Sequence, residues 1–215
     1  MLEDVTLPPL GNEKAERAII ILHGLGDSAD GIIGLGQAMQ RAFPGTAFSA
    51  PNAPFPCDFS PFGFQWFSMQ DMSHAAILKG VQTAAPILND YIDQVLERHH
   101  LTPDKLALVG FSQGTIMSLY VAPRRDKPVA ALLGYSGALV GGESLPSERK
   151  SSPPIMLIHG TNDEVVPYVA MDHAIAGLHN VNMNATSLAC PGLGHSIDDL
   201  GLAEGVKFLR RVFMI

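Results

Sequence analysis

The sequence predicts an α/β fold: a mostly parallel central sheet with helices on both faces and no large cap domain. Three observations carry that prediction. Short aliphatic or β-branched runs alternate with longer segments of helical period, which is the order that builds parallel sheets. Several of those runs are apolar throughout, as strands buried on both faces must be. The 215 residues, set against roughly 150 for a typical domain, favour one domain over residues 1–215, with 1–16 as an N-terminal extension.

Taken in order, the strands are expected at Arg17 to Leu22, Ala47 to Ala50, Leu106 to Val109, Val129 to Tyr135, Ile155 to His159 and Met183 to Leu188. A helix over Gly31 to Phe43 follows the first of them. A long helix starts near Ser73, because Ile77, Val81, Ala84, Leu88, Tyr91, Ile92 and Val95 fall on one face, and Pro86 is expected to kink it. Gln113 to Ala122 is a shorter helix stopped by Pro123, and Ile197, Leu200, Val206, Leu209, Val212 and Phe213 trace a final one. Residues 51–72 break the rhythm with four prolines among Phe55, Phe59, Phe62, Phe64, Trp66 and Phe67. A loop of that length inside a compact domain is usually functional. Phe64, Trp66 and Phe67 are therefore expected to wall an apolar substrate pocket, the alternative being a loop that merely covers core.

Composition narrows the function. Hydrophobic residues make up 47% and charged residues 16%, so disorder is excluded. The net charge of −7, with no basic run, disfavours nucleic acid, whose binding needs a basic surface. No apolar stretch approaches the ~20 residues of a membrane span. The acidic start, Met1-Leu-Glu-Asp, lacks the pattern of a secretory signal, and a cytoplasmic location is expected. Cys57 and Cys190 have neither metal-ligand nor disulfide spacing and read as free thiols.

The chemistry is concentrated in Gly110-Phe-Ser112-Gln-Gly114. This G-x-S-x-G lies between a predicted strand and a predicted helix, where the turn is so tight that the residues two before and two after the serine must lack side chains. The turn would raise the Ser112 hydroxyl at a helix N-terminus, whose free N–H groups favour developing negative charge. A serine nucleophile needs a base, and the base needs an acid to fix its tautomer. In chain order the candidates are Asp163, with Glu164 as its rival, in the loop after the Ile155 strand, then His195 in Gly192-Leu-Gly-His195 ahead of the last helix. His159, at the end of its strand, is expected to shape the acid loop rather than transfer protons. An oxyanion hole needs two N–H donors, expected from Gln113, next to the nucleophile, and from Leu25 in His23-Gly-Leu-Gly-Asp27 after the first strand. That Gly-x-Gly lacks the third glycine of a dinucleotide fingerprint.

Together, His23-Gly-Leu-Gly-Asp27, Gly110-Phe-Ser-Gln-Gly114, His159-Gly-Thr-Asn-Asp163-Glu-Val-Val-Pro167 and Gly194-His195 resemble the phospholipase/carboxylesterase family of α/β-hydrolases, which includes the acyl-protein thioesterases. The match is collinear from about Arg17 to the C-terminus. It implies an α/β-hydrolase fold, a Ser112, Asp163 and His195 triad, and an oxyanion hole at Leu25 and Gln113. Gln65-Trp66-Phe67 resembles the family's aromatic segment beside the active site, with Ser68 in place of the usual aspartate. Thr115 stands where a second glycine is common.

The expected activity is hydrolysis of carboxylic esters or thioesters, with no metal or organic cofactor. The expected partners are small-molecule or lipid-like acyl esters, acylated protein being an alternative. Family members are often dimers, so a homodimer is one expected assembly. Residues 137–152 are long enough for a small flap. Two competing readings are a non-catalytic binding module on the same fold and an acyltransferase on the same triad.

Overall fold

A computed structural model describes residues 2–11 and 14–215 of the chain. Its frame is a seven-stranded sheet of β1 (Asp4–Leu7), β2 (Arg17–Leu22), β3 (Thr46–Pro51), β6 (Leu106–Phe111), β7 (Ala131–Tyr135), β8 (Ile155–Gly160) and β9 (Ala185–Cys190). The order across the sheet is β1-β3-β2-β6-β7-β8-β9. Only β1 runs antiparallel to its neighbour. β4 (Phe55–Pro56) and β5 (Phe64–Gln65) form a separate small hairpin.

The continuous apolar strands are sorted by the two-residue period into two cores. In β2, Ala18, Ile20 and Leu22 face one core while Ile19 and Ile21 face the other; in β6, Leu106 and Leu108 oppose Ala107 and Val109. The first core is closed by α2 (His74–His99), α3 (Gln113–Val121) and α5 (Val169–Asn180), the second by α1 (Ala29–Gln40) and α6 (Asp199–Phe213). Strands covered on both faces need no polar alternation, which is why the runs read as they do.

Several expectations are adjusted. β1 lies inside the segment read as an extension; it is a short, half-exposed edge strand, held where Asp4 accepts from Tyr91 Oη at 2.7 Å and pairs with Arg98 at 2.8 Å. α5 went unpredicted because its buried face is only Met171, Ala174 and Leu178. α2 starts at the Ser73 cap and runs unbroken past Pro86, which is exposed, as is Gln82, whose carbonyl the proline leaves without a helix donor. In its last turn, burial and the neighbouring Arg98 push the His99 pKa down, so Arg98 supplies the charge there. Residues 137–152 are fastened by Arg124, which donates to Gly141 O and Ser144 Oγ and pairs with Glu148, and they carry α4 (Leu145–Glu148). Both cysteines are free; burial, with Asp198 beside it, pushes the Cys190 thiol up to about 11. No helix among the described residues is long and apolar enough to cross a membrane.

From β2 the chain moves to β3 on one side and later enters β6 on the other. The carboxyl ends of β2 and β6 therefore flank a topological switch point, where open α/β sheets place their ligands. The loops beginning at His23 and Ser112 meet there.

Candidate active site

Ser112 follows β6 directly, with φ 53° and ψ −117°. A non-glycine residue held so costs about 1–3 kcal/mol and persists only where its surroundings over-determine it. Ser112 N–H donates to Tyr135 O at 2.9 Å, while Ser112 O accepts from Thr115 N at 2.9 Å and Ile116 N at 3.2 Å. The glycines are required by contact: a Cβ on Gly110 would stand 2.5 Å from Gly114 C, and one on Gly114 would stand 2.1 Å from Leu22 O. Ser112 is 8% exposed. Its hydroxyl makes no hydrogen bond among the described residues, and such contacts commonly tighten only with substrate bound.

Asp163 and His195 are brought together. His195 Nδ1 lies 2.7 Å from Asp163 Oδ2, so Nδ1 carries the hydrogen and Nε2 is free. Asp163 Oδ1 accepts from Val165 N at 2.9 Å and Val166 N at 2.8 Å. Burial is the largest single influence on this carboxyl and raises its pKa, but the bonds from His195, Val166 and Val165 together outweigh it and hold the group below the usual carboxylate range. Glu164, the rival, is exposed. The loops that carry Asp163 and His195 are stitched by Asn162 N to Leu193 O at 2.9 Å and Thr161 N to Cys190 O at 3.0 Å. The His195 ring packs on Phe111, the residue before Ser112, with centroids 4.9 Å apart.

The loop after β2 is fixed by His23, a residue with no role expected from sequence. His23 is fully buried; its Nε2 accepts from Ala53 N at 2.9 Å, so Nδ1 carries the hydrogen and donates to Gly24 O at 2.6 Å. Burial holds its pKa down, keeping the ring neutral. In a trans peptide the N–H points away from the C=O, so anchoring Gly24 O on His23 turns the Leu25 N–H to the opposite side. Gly24 itself abuts Ser112: a Cβ there would lie 3.2 Å from Ser112 Cβ.

The aromatic segment departs from expectation. Trp66 and Phe67 are 0% and 1% exposed; both brace the loops, and neither lines the cleft beside His195. Trp66 Nε1 donates to His23 O at 3.1 Å. The Gln113 side chain accepts from Trp66 N and donates to Phe67 O, both at 3.0 Å. Two hydrogen bonds join Phe64, which is half-buried, to the loop after β2: Gly26 N to Phe64 O at 2.8 Å and Phe64 N to Asp27 O at 2.9 Å. Ser68 is exposed and donates to Asp58. Beside His195 lies an open cleft of about 380 Å³ whose apolar lining is Ile32, Leu35, Phe111, Ile197 and Leu202. Phe67 instead reaches a separate groove of about 480 Å³ between the hairpin and α2.

Known proteins of the same build were found by sequence and by shape. A family model described as Phospholipase/Carboxylesterase matches residues 10–213. The chain is 27% identical to acyl-protein thioesterase 1 of Debaryomyces hansenii, over 92% of this chain and 91% of that one. It is 25% identical to esterase YpfH of Escherichia coli, over 93% and 84%. Among solved structures it resembles esterase PE8, with a TM-score of 0.94 and 37% identity over 98% of this chain and 99% of that one.

Proposed function

The chain belongs to the phospholipase/carboxylesterase family and is a hydrolase of the α/β-hydrolase fold, and from that premise we propose that it cleaves carboxylic esters and thioesters through an acyl-enzyme on Ser112. The observation that carries the reading is the pairing of buried Asp163 with the partly exposed His195 at 2.7 Å, the His195 ring packed against the residue preceding a strained serine.

In this mechanism His195 Nε2 takes the Ser112 proton as Oγ attacks the acyl carbonyl. The carbonyl π electrons move to oxygen, and the oxyanion is held by the N–H groups of Leu25 and Gln113. The tetrahedral intermediate collapses; the bond to the alcohol or thiol breaks, and the imidazolium returns its proton to the leaving atom. Water, deprotonated by the same Nε2, then attacks the acyl-enzyme; as the second tetrahedral intermediate collapses, the bond from the acyl carbon to Ser112 Oγ breaks, the imidazolium returns its proton to Oγ, and the carboxylic acid leaves. Asp163 fixes the Nδ1–H tautomer and stabilises the imidazolium without taking the proton. The cleft lined by Ile32, Leu35, Phe111, Ile197 and Leu202 offers apolar surface next to the base, which suits lipid-like acyl compounds.

Intact mass after exposure to a fluorophosphonate tests this reading. One adduct on the wild type, absent from Ser112→Ala, is the expected result, with p-nitrophenyl ester and thioester hydrolysis lost in parallel. A folded wild type that neither labels nor hydrolyses these compounds refutes it.

A further inference from the structure

The cleft of about 380 Å³ beside His195 lies between α1, which lends Ile32 and Leu35, and the start of α6, where Ile197 and Leu202 stand. Of the three groups around an acyl carbon bound to Ser112, the oxyanion turns to the N–H donors, and the acyl chain has no proton to exchange. The leaving atom alone must come within hydrogen-bond reach of His195 Nε2 to receive its proton. Whatever is attached to that atom continues over the surface beside the base, and His195 lines this cleft. Its lining also carries carboxylates from both sides: Asp27 at the entry to α1, and Asp198 and Asp199 at the entry to α6, with no Lys or Arg. Asp27 Oδ1 accepts from Ser28 N at 2.8 Å and Asp198 Oδ1 from Gly201 N at 2.7 Å, while Asp199 is exposed. The ion pairs of the described residues involve none of the three.

Building on the hydrolase reading above, we propose that this cleft is the leaving-group subsite, and that Asp27 and Asp199 select esters and thioesters whose alcohol or thiol is alkyl and neutral or cationic over those whose leaving group is an anion. The apolar side chains take up the alkyl part, and the carboxylates attract a cationic end and repel an anionic one. Once the leaving group departs, the same space admits the water that Nε2 deprotonates. A partly exposed carboxylate is worth about twofold to threefold per unit charge brought beside it. Two of them, acting over a change from cation to anion, give about 30-fold.

The test compares thioacetates that differ in the charge of the thiol, each followed by thiol release: acetylthiocholine, its uncharged isostere 3,3-dimethylbutyl thioacetate, and 3-(acetylthio)propionate. At about 0.01 M salt, kcat/KM is expected to be about 30-fold higher for the cation than for the anion, with the isostere between them, and the gap should shrink to about threefold at about 1 M salt. Asp27→Asn with Asp199→Asn should close most of the low-salt gap. Asp90→Asn with Asp104→Asn removes two exposed carboxylates outside the cleft and should leave it in place. Should Asp27→Asn fail to fold, Asp199→Asn alone should lower the gap to about fivefold. Moving the negative charge to the acyl side, in the S-ethyl monothioester of glutaric acid against S-ethyl thiopentanoate, should give a ratio that the cleft pair of substitutions changes by less than about twofold. Equal rates for the three thioacetates at low salt, a gap that the outside pair closes as far as the cleft pair does, or an acyl-side charge relieved as strongly as a leaving-group charge overturns the proposal, as does Ser112 labelling with no turnover of any of the three. A wild type that neither takes the fluorophosphonate label nor hydrolyses these thioesters refutes the hydrolase reading instead.

Discussion

Replacing His23 by phenylalanine separates the orientation of the proposed oxyanion loop from the chemistry proposed at Ser112. The substitution keeps a ring of similar size in a fully buried site and removes both nitrogens. Ala53 N–H, itself buried, loses its acceptor at 2.9 Å, and Gly24 O loses its donor at 2.6 Å, keeping only Asp27 N at 3.3 Å. An orphaned buried group costs about 1–3 kcal/mol and a lost hydrogen bond about 1 kcal/mol, so unfolding free energy should fall by about 2–4 kcal/mol in urea. Losing one oxyanion donor outright costs about 100- to 1000-fold; Leu25 N–H remains but is no longer aimed, so kcat should fall about 10- to 100-fold. Acidification adds a second signature. Burial keeps the His23 pKa below 6.5 in the folded chain, whereas the unfolded chain takes up that proton below about pH 6.5. The stability that the neutral ring supports is present above that pH and is lost as pH falls from it toward the folded pKa, at about 1.4 kcal/mol per unit. The stability gap between wild type and His23→Phe should therefore narrow between pH 7.5 and 5.5. A variant whose kcat stays within about twofold of wild type, despite its lower stability, would refute the peptide-plane argument.

Gln113→Ala removes the clamp on Trp66 N and Phe67 O but keeps the backbone donor; about 2–4 kcal/mol of stability should be lost, with faster proteolysis of the 55–67 segment, and unchanged urea stability would count against the bracing role. Asp163→Asn keeps the shape but lets the His195 ring settle in the wrong tautomer, lowering kcat by about 10³- to 10⁴-fold with little change in KM, measured on a p-nitrophenyl ester. Gly137→Ala would set a Cβ 2.4 Å from Thr115 Cβ and should destabilise by about 1–3 kcal/mol. Thr115→Gly on top of it removes that clash, so the two effects should be less than additive in thermal melts.

Where a single local interaction decides the outcome, the sequence was sufficient. The elbow needs glycine at 110 and 114 because of backbone atoms closer than 3 Å, and no context changes that. Long helices with many buried positions, such as α2, announce themselves; α5, with three, does not. The same limit applies to the site. Chain order places Ser112, Asp163 and His195 at the carboxyl ends of strands that the sheet sets close together. It is silent on which way a buried ring faces. Trp66 and Phe67 read as pocket wall because aromatic residues in a proline-rich loop look the same from sequence whether they line a cleft or plug one. Their burial is decided by the Gln113 amide, 46 to 47 residues away. His23 is invisible as a brace for a similar reason: it acts through hydrogen bonds to backbone groups, which leave no trace in residue identity, whereas the place of His159 at a strand end already suggests that it shapes the acid loop, where it bonds Val166 O.

Thr115 shows how a departure from the family pattern can be absorbed nearby. A threonine in place of the common second glycine adds a branched side chain directly under Ser112. A Cβ on Gly134 would lie 2.5 Å from Thr115 Cγ2, and one on Gly137 would lie 2.4 Å from both Thr115 Cβ and Cγ2. The space is supplied by glycines at the end of β7 and just beyond it. The hydroxyl is used as well: Thr115 Oγ1 donates to Tyr135 O at 2.8 Å, the same carbonyl that accepts Ser112 N–H at 2.9 Å. Interiors are packed too tightly for added volume to go unanswered. The strained serine is thus held from β7 through one oxygen that takes two donors, and the added methyl fills the space those two glycines leave.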